Sequence, residues 1–203
     1  MKQNFQKQLD IFLSTLPSEN VPSLLLHSCC GPCSTYVLSY LAKYFNITIY
    51  FYNPNIMPEP EYKLRLETQK EVLNKLKLPH EVKLIEGAYD RNEFLKSIAG
   101  LENEPERGER CKKCMELRIK NTAKFAFENG FDYFCTTLSV SPHKDAALLN
   151  SLSEKYASLF KIKTIPADFK KQNGFLQSTK LSKELQLYRQ DYCGCIFSKK
   201  RAD

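Results

Sequence analysis

Residues 24–41 read LLLHSCCGPCSTYVLSYL. LLLHS (24–28) is a short apolar run closed by polar residues, as expected of a buried strand. STYVLSYLAKYF (34–45) predicts a helix. Between them, Gly31 and Pro32 supply a tight turn and restrict the chain. A strand, a tight turn and a helix open an α/β fold, and the rest of the chain repeats the unit.

NITIYFY (46–52) predicts a second strand, followed by the turn-rich NPNIMPEP (53–60). EYKLRLETQKEVLNKLK (61–77) carries Tyr62, Leu66, Leu73 and Leu76 at helical spacing. HEVKLIEG (80–87) is a third strand, and DRNEFLKSIAG (90–100) a short helix stopped by Gly100. After the charged connector ENEPERGER (102–110), residues 111–130 form a helix with Met115, Ile119, Ala123 and Phe127 as its apolar stripe. DYFCTTLSV (132–140) is a strand and KDAALLNSLSEKYA (144–157) a helix. LFKIKTIPADF (159–169) holds the last strand, and GFLQSTKLSKELQLY (174–188) the last helix. The alternation predicts an α/β fold with a mostly parallel sheet flanked by helices and right-handed crossovers. Such open sheets place their sites at the carboxyl ends of strands. HSCCGPC, NPNIMPEP and TTLSVSPHKD all fall there.

The 203 residues suit one α/β domain over 1–203. No apolar run approaches the ~20 residues of a membrane span, and MKQNFQKQLDIFLSTLPSEN lacks a signal-peptide layout. The expected location is the cytoplasm, with no membrane partner. A net charge of +7 is compatible with a polyanion such as RNA, and equally with a solvated lysine-rich surface.

Eight cysteines say more. They fall at 29, 30 and 33, at 111 and 114, at 193 and 195, and singly at 135. In a reducing compartment such groups point to metal, cluster or redox work. Cys30-Gly31-Pro32-Cys33 has the spelling of a thioredoxin loop. A dithiol oxidoreductase needs two cysteines, however, and this chain has five more in groups. Lying before a helix, Cys29, Cys30 and Cys33 are expected to lean toward thiolate.

Cys111 and Cys114 share one side of a helix's first turn. With two thiolates of the first group they would complete a four-sulfur site for zinc or an iron–sulfur cluster. Arg107, Arg110, Lys112 and Lys113 could offset its charge, face RNA, or face water. Cys193 and Cys195, one glycine apart, could close a strained, reducible disulfide or hold a second metal. Cys135, in an apolar strand, is a structural thiol. His27 is either a site residue or a hydrogen-bonded core histidine. His80 has no expected role, and His143 stands at a strand end.

LHSCCGPCS, NPNIMPEPEYKLR, GERCKKCMELRIKNTA, DYFCTTLSVSPHK and LYRQDYCGCIFS, in this order, resemble the epoxyqueuosine reductases of the QueH type. The resemblance runs from about residue 22 to 198, taken as the core of the domain. It implies a Rossmann-like sheet of the nucleotide-hydrolase and PP-loop group, with a cysteine-bearing C-terminal segment. It implies reduction of epoxyqueuosine to queuosine at the wobble position of tRNA, the last step of queuosine synthesis, with an external electron donor. It also implies a [4Fe-4S] cluster on Cys29, Cys30, Cys111 and Cys114, with Cys193 and Cys195 as a redox-active pair. An additional mononuclear iron is left open, with Cys33, Cys193, Cys195 and Asp191 as its available ligands.

Removing an epoxide oxygen takes two electrons and protons, so a dithiol or second metal beside a one-electron cluster has a purpose. Arg65, Arg118, Lys144 and Arg189 are expected at phosphate or ligand. Tyr52, Tyr62, Thr136, Thr137, Ser139 and Ser141 are hydroxyl groups near the strand ends. The alternatives are a zinc-stabilised RNA-binding module and a thiol–disulfide oxidoreductase.

Overall fold

Leu24, Leu25 and Leu26 are fully buried because their strand lies in the middle of a sheet covered on both sides. A computed structural model describes residues 3–17 and 19–199. In it β1 (Ser23–His27) pairs in parallel with β2 (Asn46–Phe51) on one side and β4 (Tyr133–Thr136) on the other. β3 (Lys83–Glu86) and β5 (Lys163–Thr164) complete the order β3-β2-β1-β4-β5, all parallel. The strand order therefore reverses between β1 and β4. That is the switch point at which open α/β sheets bind ligands.

Alternation along β1 divides the core. Leu24 and Leu26 join Ile47 and Ile49 under α1 (Phe5–Ser14), α2 (Gly31–Leu41) and Val72 of α3 (Glu59–Lys75). Leu25 points the other way, with Tyr50 and Phe134, under α5 (Glu109–Glu128) and α6 (Ala146–Phe160). A short α4 (Arg91–Ser97) packs beside α5, and α7 (Gly174–Glu184) lies on α2. No helix among the described residues is long and apolar enough to cross a membrane.

The α/β architecture matches the expectation, with local differences. α1, not foreseen, is capped by Asn4, whose side chain accepts from the Lys7 amide at 3.1 Å. It buries Phe5, Leu9 and Leu13, a spacing of four that was there to be read. α2 starts at Gly31 rather than Ser34, placing Cys33 in its first turn. β4 stops at Thr136, whose hydroxyl accepts from the Leu138 amide and turns the chain into a 3-10 turn over Thr137–Val140. The last strand shrinks to two residues at the sheet edge. On α5 the stripe passes from Ala123 to Ala126, leaving Phe127 53% exposed, because 3.6 residues per turn rotates a strict spacing of four off the core.

Candidate functional site

Three segments reach the carboxyl end of the sheet. After β1 the chain turns through Ser28, Cys29 and Cys30 into α2, with Cys30 as N-cap and Pro32 in the first turn. Gly31 is required by the close approach of α3: a Cβ there would stand 2.7 Å from the Thr68 carbonyl oxygen. After β2 comes Asn53-Pro54-Asn55-Ile56-Met57, joined to Pro58 by a cis peptide bond. The third segment is the tail, 192–198. The Met57 amide donates to the Gly194 carbonyl at 2.8 Å, and the Tyr192 hydroxyl donates to the Met57 carbonyl at 2.8 Å.

Arg65 fastens the same tail from α3. It is 1% exposed, pairs with Glu61 at 2.7 Å, and donates to the carbonyls of Cys193 and Tyr192 at 3.2 and 3.1 Å. The guanidinium expected at a ligand thus holds Cys193 in place. Gly194, at φ +121°, turns the tail against it.

Cys111, Cys114, Cys193 and Cys195 line one small enclosed cavity with Asn55, Arg110 and Lys144. Cys111 and Cys114 stand in the first two turns of α5, and the Arg107 amide donates to the Cys111 sulfur at 3.2 Å. Lys144 reaches the Cys193 sulfur at 3.2 Å. The Cys29 and Cys30 sulfurs lie 4.0 Å apart. Arg118 joins the two groups. It is 2% exposed, and burial disfavours its charge, but the Cys114, Cys29, Cys193 and Cys195 sulfurs, when ionised, outweigh burial and favour the charged form. Its Nε donates to the Cys114 carbonyl at 3.2 Å, while its Nη2 has no partner. Arg118 therefore faces the buried sulfurs and not the solvent side, where a phosphate would lie.

All eight cysteines are free thiols. For Cys29, Cys30 and Cys114, sulfur contacts and burial, rather than the helix N-terminus, set the protonation. Cys29 as a donor pulls the Cys30 thiol down, but the contact with Cys33 and burial carry it up to about 12. Contact with Cys30 and burial raise Cys29 well above its usual value, against Arg118 and Arg65. Burial lifts Cys114 to about 11 against Arg118. Among the described residues no three cysteine, histidine or acidic side chains converge on a point where one ion could bind. The single-iron set of Cys33, Cys193, Cys195 and Asp191 is accordingly not assembled.

His27 is a core residue. Its Nε2 lies 3.1 Å from the Tyr52 carbonyl, which can only accept, so Nδ1 at 2.8 Å accepts from the Thr136 hydroxyl. Burial and then Arg118 lower its pKa to about 3, keeping the ring neutral. Cys135 is buried in β4, as expected of a structural thiol. His80 lines a depression with Pro22 and Asn46, at the amino end of the sheet. Tyr52 and Tyr62 donate to Glu93 and Glu86 at 2.5 and 3.0 Å, and the Ser139 hydroxyl accepts from the Phe169 amide.

Outside the thiol cavity lies a cleft of about 670 Å³. Cys193, Lys144 and Ser198 line both spaces. Arg107, Arg189 and Lys199 supply its cations, Phe175 and Tyr192 its aromatic faces, and Ser141, His143 and Asp191 also border it. Arg189 lies over the Phe175 ring at 5.4 Å. Asn53 and Asn55 were not singled out in the sequence. Their signal was an Asn-Pro-Asn at a strand end, where ordinary turn chemistry gives the same letters.

A family model described as "Epoxyqueuosine reductase QueH" matches residues 24–201. The chain is 39% identical to epoxyqueuosine reductase QueH of Streptococcus pyogenes serotype M1, over 98% of this chain and 79% of the relative. It is 41% identical to that of Staphylococcus epidermidis, over 97% and 85%. For the QueH of Thermotoga maritima the values are 32%, 87% and 90%. Among solved structures it is similar in fold to the U34-tRNA thiolase NcsA from Methanococcus maripaludis, solved with its [4Fe-4S] cluster. The TM-score is 0.56 at 17% identity, covering 97% of this chain and 69% of that one.

Proposed function

The chain belongs to the epoxyqueuosine reductase QueH family, and from that premise we propose that its thiols hold a [4Fe-4S] cluster beside a cleft that receives the modified tRNA base. The reaction is the reduction of epoxyqueuosine to queuosine, by an oxidoreductase of queuosine biosynthesis. One observation carries the cluster assignment: Arg118 is buried, with its charge facing cysteines and one nitrogen lacking an acceptor. A buried, unpaired guanidinium is strongly disfavoured. An anionic sulfur cluster resolves that charge, and a donor set rich in thiols and poor in carboxylates suits it. When bound, such a cluster passes electrons one at a time.

Cys111 and Cys114 furnish half of the ligand set. Cys29 and Cys30 furnish the other half, sharing Arg118 with Cys114. Cys193 and Cys195 form the redox pair. Opening an epoxide to an alkene consumes two electrons and two protons and releases water. Oxidation of two thiols to one disulfide supplies both electrons and both protons, and an external donor then restores the dithiol. Cys193 lines the outer cleft as well as the inner cavity, which supports its sulfur as the link between substrate and cluster. The cations Arg107, Arg189 and Lys199 suit phosphates, and Phe175 and Tyr192 suit an unstacked base. The lining of the inner cavity favours a second ligand set, in which Cys193 and Cys195 replace Cys29 and Cys30.

Anaerobic purification tests the assignment. A brown protein with about four iron atoms per chain, converting epoxyqueuosine in tRNA, is expected. A colourless protein with stoichiometric zinc would refute the cluster. Iron content of the C29S/C30S and C193S/C195S double variants separates the ligand sets: the first set predicts loss of iron in the former and retention in the latter, and the second set the reverse.

A further inference from the structure

Asn55 is 1% exposed, and neither its side-chain nitrogen nor its oxygen has a hydrogen-bond partner. A buried amide almost always finds partners within the fold. This one lines the cavity formed by Cys111, Cys114, Cys193 and Cys195. The Arg110 side chain on the same wall is 3% exposed, and its Nε is likewise without a partner, although its Nη1 donates to the Glu102 carbonyl at 2.8 Å. Two buried donors without acceptors thus border one group of sulfurs. The shared deficit is an acceptor, and the available acceptor chemistry is anionic sulfur.

We propose that Asn55 is a positioning residue whose carboxamide donates hydrogen bonds to the sulfur of the bound cluster or its thiolate ligands, raising the cluster's reduction potential. The inference rests on the assignment of a cluster to these thiols. Hydrogen bonds to sulfur draw charge from the centre and ease its reduction. The loop that carries Asn55 is well placed for this role. Asn53 Nδ2 donates to the Ser28 carbonyl at 2.8 Å, and the Met57 amide bonds to Gly194, so both ends of the loop are tied to cysteine-bearing segments.

The test is Asn55→Leu, which keeps the branched outline of the side chain and cannot donate. Iron content and an EPR-monitored dithionite titration of the anaerobically purified full chain are compared with wild type. Thermal unfolding is then compared after iron is removed by a chelator. The expected result is a lower potential in the variant, with at least a tenfold change in the oxidised-to-reduced ratio at fixed poise, which is ~59 mV for a one-electron couple. The iron-free variant should melt no lower than iron-free wild type, because it has lost no internal hydrogen bond. Loss of iron from a variant that passes the melting comparison also supports the role. Equal potentials would overturn it, and so would an iron-free variant melting well below wild type. Wild type without iron would instead remove the cluster assignment beneath it.

Discussion

Gly194→Ala tests how the tail carries its two cysteines to the site. Gly194 sits at φ +121°, where side chains are rarely tolerated, and a Cβ would stand 3.0 Å from Ile56 Cγ1 and 3.1 Å from Arg65 Nη1. Backbone strain of this kind costs about 1–3 kcal/mol. Relieving it means turning the Gly194 carbonyl away from the Met57 amide, at 2.8 Å, and Cys193 away from Arg65. The sheet and its helices need not move, so the response is release of residues 192–198. About 2 kcal/mol corresponds to a ~30-fold increase in the released population. Cys195 is 6% exposed in the docked tail and becomes reactive on release, whereas Cys135, 4% exposed in β4, reacts only when the sheet opens. Alkylation of reduced, chelator-treated protein, read peptide by peptide by mass spectrometry, measures both. The expectation is Cys195 labelled ~30-fold faster, matching the released population, with Cys135 unchanged. An unchanged Cys195 rate, or an equal rise at both cysteines, would refute the local clamp.

Two further predictions concern the scaffold. Gly31→Ala places a Cβ 2.7 Å from a backbone oxygen of α3, so α2 and α3 must separate; about 1–3 kcal/mol should be lost, seen as a lower urea midpoint with unchanged slope. Glu116 is held at a pKa of about 2, chiefly by the Lys155 ammonium and, against the cost of burial, by the Tyr156 hydroxyl. A depressed carboxylate stabilises above its unfolded value and loses that contribution as pH falls through the folded one. Wild type should therefore exceed Glu116→Gln by about 0.5–1 kcal/mol at neutral pH, a value reduced by solvent screening. The gap should close between the ordinary carboxylate value of 4.5 and about 2. A pH-independent difference in urea titrations would contradict this.

The fold was legible where pattern and burial agree. Three consecutive leucines before a tight turn identify a central strand, because only a strand covered on both faces buries all three. The strand–helix alternation then restricts the sheet to parallel pairing. Less legible were segments ruled by one local bond, such as the end of β4, where the Thr136 hydroxyl turns the chain. β5 reads as a strand in its β-branched letters, but as an edge it keeps only two paired residues.

At the site, the sequence by itself determined which atoms would matter. Three tight groups of cysteines mark sulfur chemistry, since isolated structural thiols are not placed that way. It also marked the strand ends where they gather, and His27 was left between site and core. Only the tertiary structure decided the partners. Arg65 and Arg118 look alike in one dimension, as basic residues on helices. In three dimensions one ties down the tail by its carbonyls and the other faces sulfur without a carboxylate. His27 became a neutral strut because its two neighbours come from β4 and from the chain after β2, more than twenty residues away in each case. Burial, likewise, is a property of the whole fold. After the Cys29–Cys30 and Cys30–Cys33 contacts, it helped turn the expected thiolate bias of Cys29 and Cys30 into raised pKa values, and it left the Asn55 amide without a partner. Letters specify which groups can bond, but desolvation and distance, set by segments remote in sequence, decide which of them do.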